Sequence, residues 1–389
     1  MTEKPASQAL QCFTLLREYA QKVDLTDTLP SGDPSPVLLG LYGEVGSVMA
    51  IAKKRHREPE IYVEYENAVE EELGDVLWYF AALCRRFGQE FDLVFSKVIN
   101  EEGREDIIAA GDLITGRVSR VSATRDLPAF DDILFGLGET ATALLRAESG
   151  SEHAHKLLHT FASEYLQAVQ ATQVPFFNVV RTNMEKACGR FLDPIPEDLP
   201  VFDDSFPDEE RLPEHFEIKV TQRKSGKSYL QWNNVFIGDP LTDSIRDPDG
   251  YRFHDVFHLA YAAILHWSPI FRGLIKQKRK SDPQYDDAED GGRAKVVEEG
   301  LTAWVFSYAK NLNFFERQTS LPFDLLKTVH RFVHGYEVEV CPLKLWEKAI
   351  LEGYKVFRQV RKYNGGIVVG DRDQRTITYK RIEGEIRES

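Results

Sequence analysis

The chain has 389 residues, enough for two or three domains, and its 42% apolar content allows each domain a buried core. A net charge of −14 argues against broad binding to nucleic acid or to an anionic membrane. Cys12, Cys84, Cys188 and Cys341 are scattered without C-x-x-C pairs, MTEKPASQ holds no apolar signal region, and no apolar run approaches a membrane span of roughly twenty residues; the expectation is reduced thiols in a cytoplasmic protein.

Residues 8–24 predict a first helix, with Leu10, Phe13, Leu16 and Tyr19 on one stripe. A second helix is expected from about Leu38 to Lys54, where Leu41, Val45, Val48 and Ile51 recur at spacings of three and four. Lys53, Lys54, Arg55 and Arg57 follow it, either as an exposed basic turn or as a phosphate contact. A third helix runs from about Glu64 to Arg86. Its Glu72 and Asp75 lie three apart and so project from adjacent turns of one face, with Glu71 beside them and Leu73, Val76 and Leu77 around them. Carboxylates on a partly inward face repel one another unless something pairs them, and a hard divalent cation suits such oxygen ligands. Glu44 on the second helix could complete the cluster; the plain alternative is a solvated acidic face. Trp78, Tyr79 and Trp304 could stack a base but read equally as core. Further helices are expected over about 90–120, as a pair within 127–174, and over 175–192.

GEVGS followed by EELGDVLWYF resembles the MazG family of all-α nucleoside triphosphate pyrophosphohydrolases, whose signature is E-x-x-E, a gap, then E-x-x-D on two helices. The resemblance implies that Glu44, Glu72 and Asp75 bind Mg²⁺ and that Glu71, Glu72 and Asp75 carry the chemistry. RTNMEKACGRF resembles the family's closing helix, N-x-x-K-x-x-x-R, which implies that Asn183, Lys186 and Arg190 face nucleotide phosphates. The second acid of the first pair is Ser47 here, so one metal ligand is missing or replaced by water. The likeness covers about 8–90 well and 175–192 in part.

From Asp193 to Glu214 the chain holds nine acids, five prolines and one arginine, which reads as an acidic linker between domains at 1–192 and 215–389. HFEIKVTQRKSGKSYLQWNNVFI then alternates as a β-hairpin, and its SGKS lacks the remainder of a phosphate-binding loop. GDPLTDSIRDPDG reads as a turn-rich loop leading into the helical HDVFHLAYAAILHW. There His254 and His258 share a face, with Asp255 on the same turn, a spacing suited to Mn²⁺, Mg²⁺ or a transition metal. Lys276, Arg279 and Lys280, in a basic stretch, could hold a polyphosphate. Glu289 and Asp290 beside a Gly-Gly turn are further candidates. Glu298 and Glu299 open a helix, EEGLTAWVF, that echoes EELGDVLWY, and HDVFH then stands where GEVGS stands. This suggests a divergent internal repeat with Glu299 as a ligand beside His254, Asp255 and His258. Helices at about 322–334 and 343–362 and a closing hairpin around a Gly-Asp-Arg-Asp turn complete the chain. GDPLTD, GYRFHDVFHLAYAA, KRKSDP, EDGGRA and EEG resemble the C-terminal domain of some bacterial MazG-like proteins.

The fold expectation is mainly α: two helical modules, the second with a small antiparallel sheet from two hairpins. The functional expectation is a Mg²⁺-dependent enzyme converting a nucleoside triphosphate to monophosphate and pyrophosphate, with Mn²⁺ as the alternative at the His-containing site. It is expected to act off the membrane as a homo-oligomer or internal pseudo-dimer. The alternatives are a nucleotide-binding sensor or scaffold without turnover, or a hydrolase whose active site is the HDVFH module.

Overall fold

The computed structural model describes residues 4–58, 65–102 and 130–382. The chain divides into two compact units, one ending at Leu192 and one beginning at Asp193. The expected helix between 103 and 120 lies outside the described residues.

The first unit is helical: α1 (Lys4–Thr26), α2 (Ser35–Arg57), α3 (Tyr65–Arg86), α4 (Phe91–Glu102), α5 (Phe130–Leu144), α6 (Glu152–Thr172) and α7 (Phe176–Phe191). The period-3.6 pattern forms it directly. Leu41, Val45 and Val48 of α2 and Val69, Leu73, Val76 and Phe80 of α3 are buried in one core, and the two helices pack along their length. By length and composition α2 is apolar enough to cross a membrane, which corrects the sequence estimate, but that apolar stripe is buried against α3 and α5. Gly74 sets a close helix approach, since a Cβ there would meet the Asn183 Cβ at 2.8 Å. The missing side chain brings Asn183 of α7 down onto α3 beside Asp75.

The second unit joins six helices to a five-stranded antiparallel sheet. Its helices are α8 (Asp255–Leu265), α9 (Pro269–Ile275), α10 (Pro283–Ala288), α11 (Gly292–Lys310), α12 (Phe323–Phe332) and α13 (Leu343–Tyr363). Its strands are β1 (His215–Gln222), β2 (Ser228–Trp232), β3 (Val235–Leu241), β4 (Gly365–Asp371) and β5 (Thr376–Lys380), in the order β3-β2-β1-β4-β5. The two expected hairpins thus join edge to edge, with Ile218 of β1 opposite Trp232 on one side and Val368 on the other. Phe216, Ile218 and Val220 alternate inward, and α8 and α13 pack together and against β4 and β5. SGK is the β1–β2 turn, with Gly226 at φ +81°.

Two expectations need correction. GDPL, read as loop, is the end of the edge strand β3. The stretch 193–214 is no linker: Leu212 and Phe206 are buried. So is Asp203, which accepts from Arg272 Nη2 at 2.6 Å, Arg372 Nη2 at 2.7 Å and the Leu212 amide at 2.8 Å. Ion pairs with residues far along the chain bury Asp203, while most of the other acids of the stretch stay exposed.

Candidate metal centres

In the first unit Glu44 of α2 and Glu72 and Asp75 of α3 bring carboxylate oxygens within 4.8 Å of one another. Two negative charges that close repel by about 4 kcal/mol at the screening typical near a protein surface. The consequence falls on Glu44. Partial burial and the neighbouring Asp75 and Glu72 push its carboxyl up to about 7, and it hydrogen-bonds Glu72. A positive charge comes from α7, where Lys186 Nζ lies 2.7 Å from Asp75 Oδ2 and 3.0 Å from Glu71 Oε1. Burial opposes the charge on Lys186, but Asp75 and Glu71 outweigh it and raise its pKa.

The same face is ordered from behind. Asn183 Nδ2 donates to Asp75 Oδ1 at 2.9 Å, and Tyr19 Oη donates to Asn183 Oδ1 at 2.7 Å. Of the expected phosphate contacts, Asn183 and Lys186 thus meet a carboxylate. Arg190, one turn on, is buried with its guanidinium 5.4 Å from the Phe191 ring centroid. Glu71 is turned by one helical step from Glu72 and faces Lys186 instead of the triad. Ser47 is half-buried. Lys53, Lys54, Arg55 and Arg57 are exposed, and Trp78 is core, with Nε1 donating to Thr26 Oγ1 at 3.0 Å.

In the second unit His254, His258 and Glu299 converge within the same 4.8 Å limit. His254 closes a short 3₁₀ turn before α8, His258 lies one turn on, and Glu299 comes from α11. The Glu299 Oε2 atom is 3.5 Å from His254 Nε2 and 3.6 Å from His258 Nε2. Burial opposes protonation of His258, yet Glu298 and Glu299 push it up to about 10. Glu299, despite partial burial, is held below the usual carboxylate range by His254 and His258. Asp255 lies outside the converging set. Its nearest oxygen is 3.9 Å from His254 Nε2, because a residue one helical step away leaves the shared face.

The other expected residues are dispersed. Arg279 is fully buried and bridges Asp290 at 2.8 Å and Glu337 at 2.7 Å, while Lys276 and Lys280 are exposed. A polyphosphate site built on Arg279 is therefore excluded: its guanidinium is spent on the core. Asp290 is its buried partner, and Glu289 accepts from the Glu337 amide at 3.2 Å. Sequence reasoning missed the inward role of Glu298, whose only signal is that one of two adjacent glutamates must leave the face of the other. It also missed a trio at the surface, His215, Asp371 and Asp373, in which the β1–β4 register sets His215 opposite Asp371.

Comparison with known proteins divides the chain at nearly the same place as the fold. Residues 197–383 match the family model of the MazG C-terminal domain. The match covers the second unit and includes His254, His258 and Glu299; it does not reach Glu44, Glu72 or Asp75. At that level of description it supports a nucleotide-related function. No curated protein and no solved structure matches the chain.

Proposed function

We propose that the N-terminal unit is a Mg²⁺-dependent nucleoside triphosphate pyrophosphohydrolase. The observation that supports it is the meeting of Glu44, Glu72 and Asp75 across two packed helices, with the Lys186 ammonium drawn to the same face by Asp75. Oxygen-only donors suit a hard ion with several remaining waters, so the residues present fit Mg²⁺. Bound there, Mg²⁺ would neutralise the triphosphate and polarise its phosphorus.

The chain's own residues have distinct tasks in this reading. Glu44, Glu72 and Asp75 hold the ion, and Asn183 keeps Asp75 in place. Lys186 exchanges its carboxylate partners for phosphate oxygens, with Arg190 one turn further along α7. That exchange frees Glu71 to orient the attacking water and accept its proton. Water adds across the anhydride between the α- and β-phosphates, and the monophosphate and pyrophosphate leave. Ser47 offers no carboxylate, which favours a reduced ligand set and gives substance to the second reading, a sensor that binds nucleotide without turnover.

Chromatographic analysis of products from a panel of NTPs and dNTPs with Mg²⁺ decides between them. Monophosphate and pyrophosphate in equal amounts, lost in Asp75→Asn, are the expected result. Tight Mg²⁺-nucleotide binding with no product would leave the sensor.

A further inference from the structure

We propose that the second unit holds a first-row transition-metal site, ligated by His254 Nε2, His258 Nε2 and the Glu299 carboxylate, with a coordination position open to water or another oxygen-donor ligand. The proposal stands apart from the pyrophosphohydrolase reading, on different residues.

Both imidazoles are fixed from behind with the same nitrogen left for a ligand. His254 Nδ1 lies 2.9 Å from the Tyr251 carbonyl oxygen. A carbonyl only accepts, so Nδ1 carries the hydrogen and Nε2 is left to bind. The Tyr251 ring stacks on that imidazole at 4.3 Å and 7°, fixing its plane. His258 Nδ1 lies 2.8 Å from Glu298 Oε1. Glu298 is wholly buried and is itself held by Ser268 Oγ at 2.7 Å and the Ile270 amide at 2.8 Å. A carbonyl or carboxylate behind each histidine is the usual support of metal-ligating imidazoles, and it sets ring orientation and basicity.

The spacing also fits one ion. Two donors about 2.1 Å from a tetrahedral metal stand roughly 3.4 Å apart. The observed 3.5 and 3.6 Å separations from Glu299 to the two Nε2 atoms lie close to that and beyond good hydrogen bonds. His258 Nε2 is the clearest sign. The side chain is fully buried, and among the described residues this nitrogen makes no hydrogen bond of normal length, its ion-pair contact with Glu299 standing at 3.6 Å. A buried polar atom without a good hydrogen bond is costly, and a metal satisfies it. The Glu299 side chain is 42% exposed, so the site opens to solvent on that side. Two imidazoles and one carboxylate favour Zn²⁺, Fe²⁺ or Mn²⁺ over Mg²⁺ and leave at least one position for an exogenous ligand.

The test uses the full chain carrying Asp75→Asn, so that the carboxylate cluster of the first unit is weakened. Chelator-stripped protein is titrated with Zn²⁺ by calorimetry and with Co²⁺ by visible absorption. One equivalent of Zn²⁺ at micromolar or tighter affinity, with cobalt d–d bands of a low-coordinate N,O site, is expected. His254→Asn and Glu299→Gln should each weaken binding at least about tenfold. Glu299 lies on the open rim, so Glu299→Gln decides the matter if His254→Asn does not fold. No binding by the parent protein, or full affinity retained in folded Glu299→Gln, would overturn the proposal.

Discussion

In the N-terminal unit three carboxylates meet on two helices that pack along their length, and a lysine from a third helix answers them. In the second unit two histidines and one carboxylate meet, each histidine held from behind, and most of the surrounding charge is cross-paired in the core. The first arrangement has hard oxygen donors only, and burial together with the neighbouring carboxylates raises the pKa of Glu44 to about 7. The second has borderline nitrogen donors and a buried nitrogen that makes no hydrogen bond of normal length. The sequence echo survives in part: Glu72 and Glu299 both join their clusters, and His258 joins its cluster from the position where the first unit has Ser47. The helix pairing differs, since α2 packs mainly along α3 whereas α8 packs mainly along α13. Similar acid spacing can therefore serve different donor sets on different helix partners.

The largest effect expected from this contrast is on stability. Arg279→Ala leaves Asp290 and Glu337 buried without their cation and should destabilise the second unit by about 3–5 kcal/mol in denaturant unfolding; an unchanged midpoint would return Arg279 to the list of ligand contacts. Next, Asp75→Asn should reduce Mg²⁺-dependent turnover by at least about a hundredfold with the helical circular dichroism unchanged. Retained turnover would move the chemistry out of the first unit. Third, Mg²⁺ binding should weaken by about tenfold between pH 8 and pH 6, because Glu44, pushed up to about 7, takes up a proton that competes with the ion. The sign for folding is opposite: without metal, the raised Glu44 contributes stability at acid pH that is lost as pH rises through about 7. A flat Mg²⁺ titration across that range would mean that Glu44 is not a ligand. The smallest change is Ser47→Glu, which should tighten Mg²⁺ binding severalfold by adding a carboxylate; unchanged affinity would place Ser47 outside the ligand set.

The helices were legible because their apolar residues keep a strict period, and the residues that the period names on α2 and α3 are all buried. The hairpins were legible from alternation. The edge strand β3 was hidden by Gly238, Asp239 and Pro240, which are turn residues by composition but are tolerated where one side of a strand needs no partner. The packed segment around Asp203 and the inward turn of Arg279 were illegible for one reason: their partners, Arg272, Arg372 and Glu337, lie far along the chain. At the sites, i,i+3 and i,i+4 spacing gave Glu72 with Asp75 and His254 with His258. Glu44 entered as an acid on the neighbouring helix able to complete the cluster, and the family resemblance then implied its role as a ligand. Glu299 entered through the echo, and Glu298 behind His258 required the fold.

The most direct measurement is anomalous diffraction from crystals of the full chain grown with Mn²⁺, Zn²⁺ and a non-hydrolysable triphosphate analogue, recorded at both metal edges. Manganese among Glu44, Glu72 and Asp75 with Lys186 turned to phosphate, and zinc at His254, His258 and Glu299, is the predicted result. An analogue bound with no metal at the carboxylates, or both metals at one site, would contradict the account.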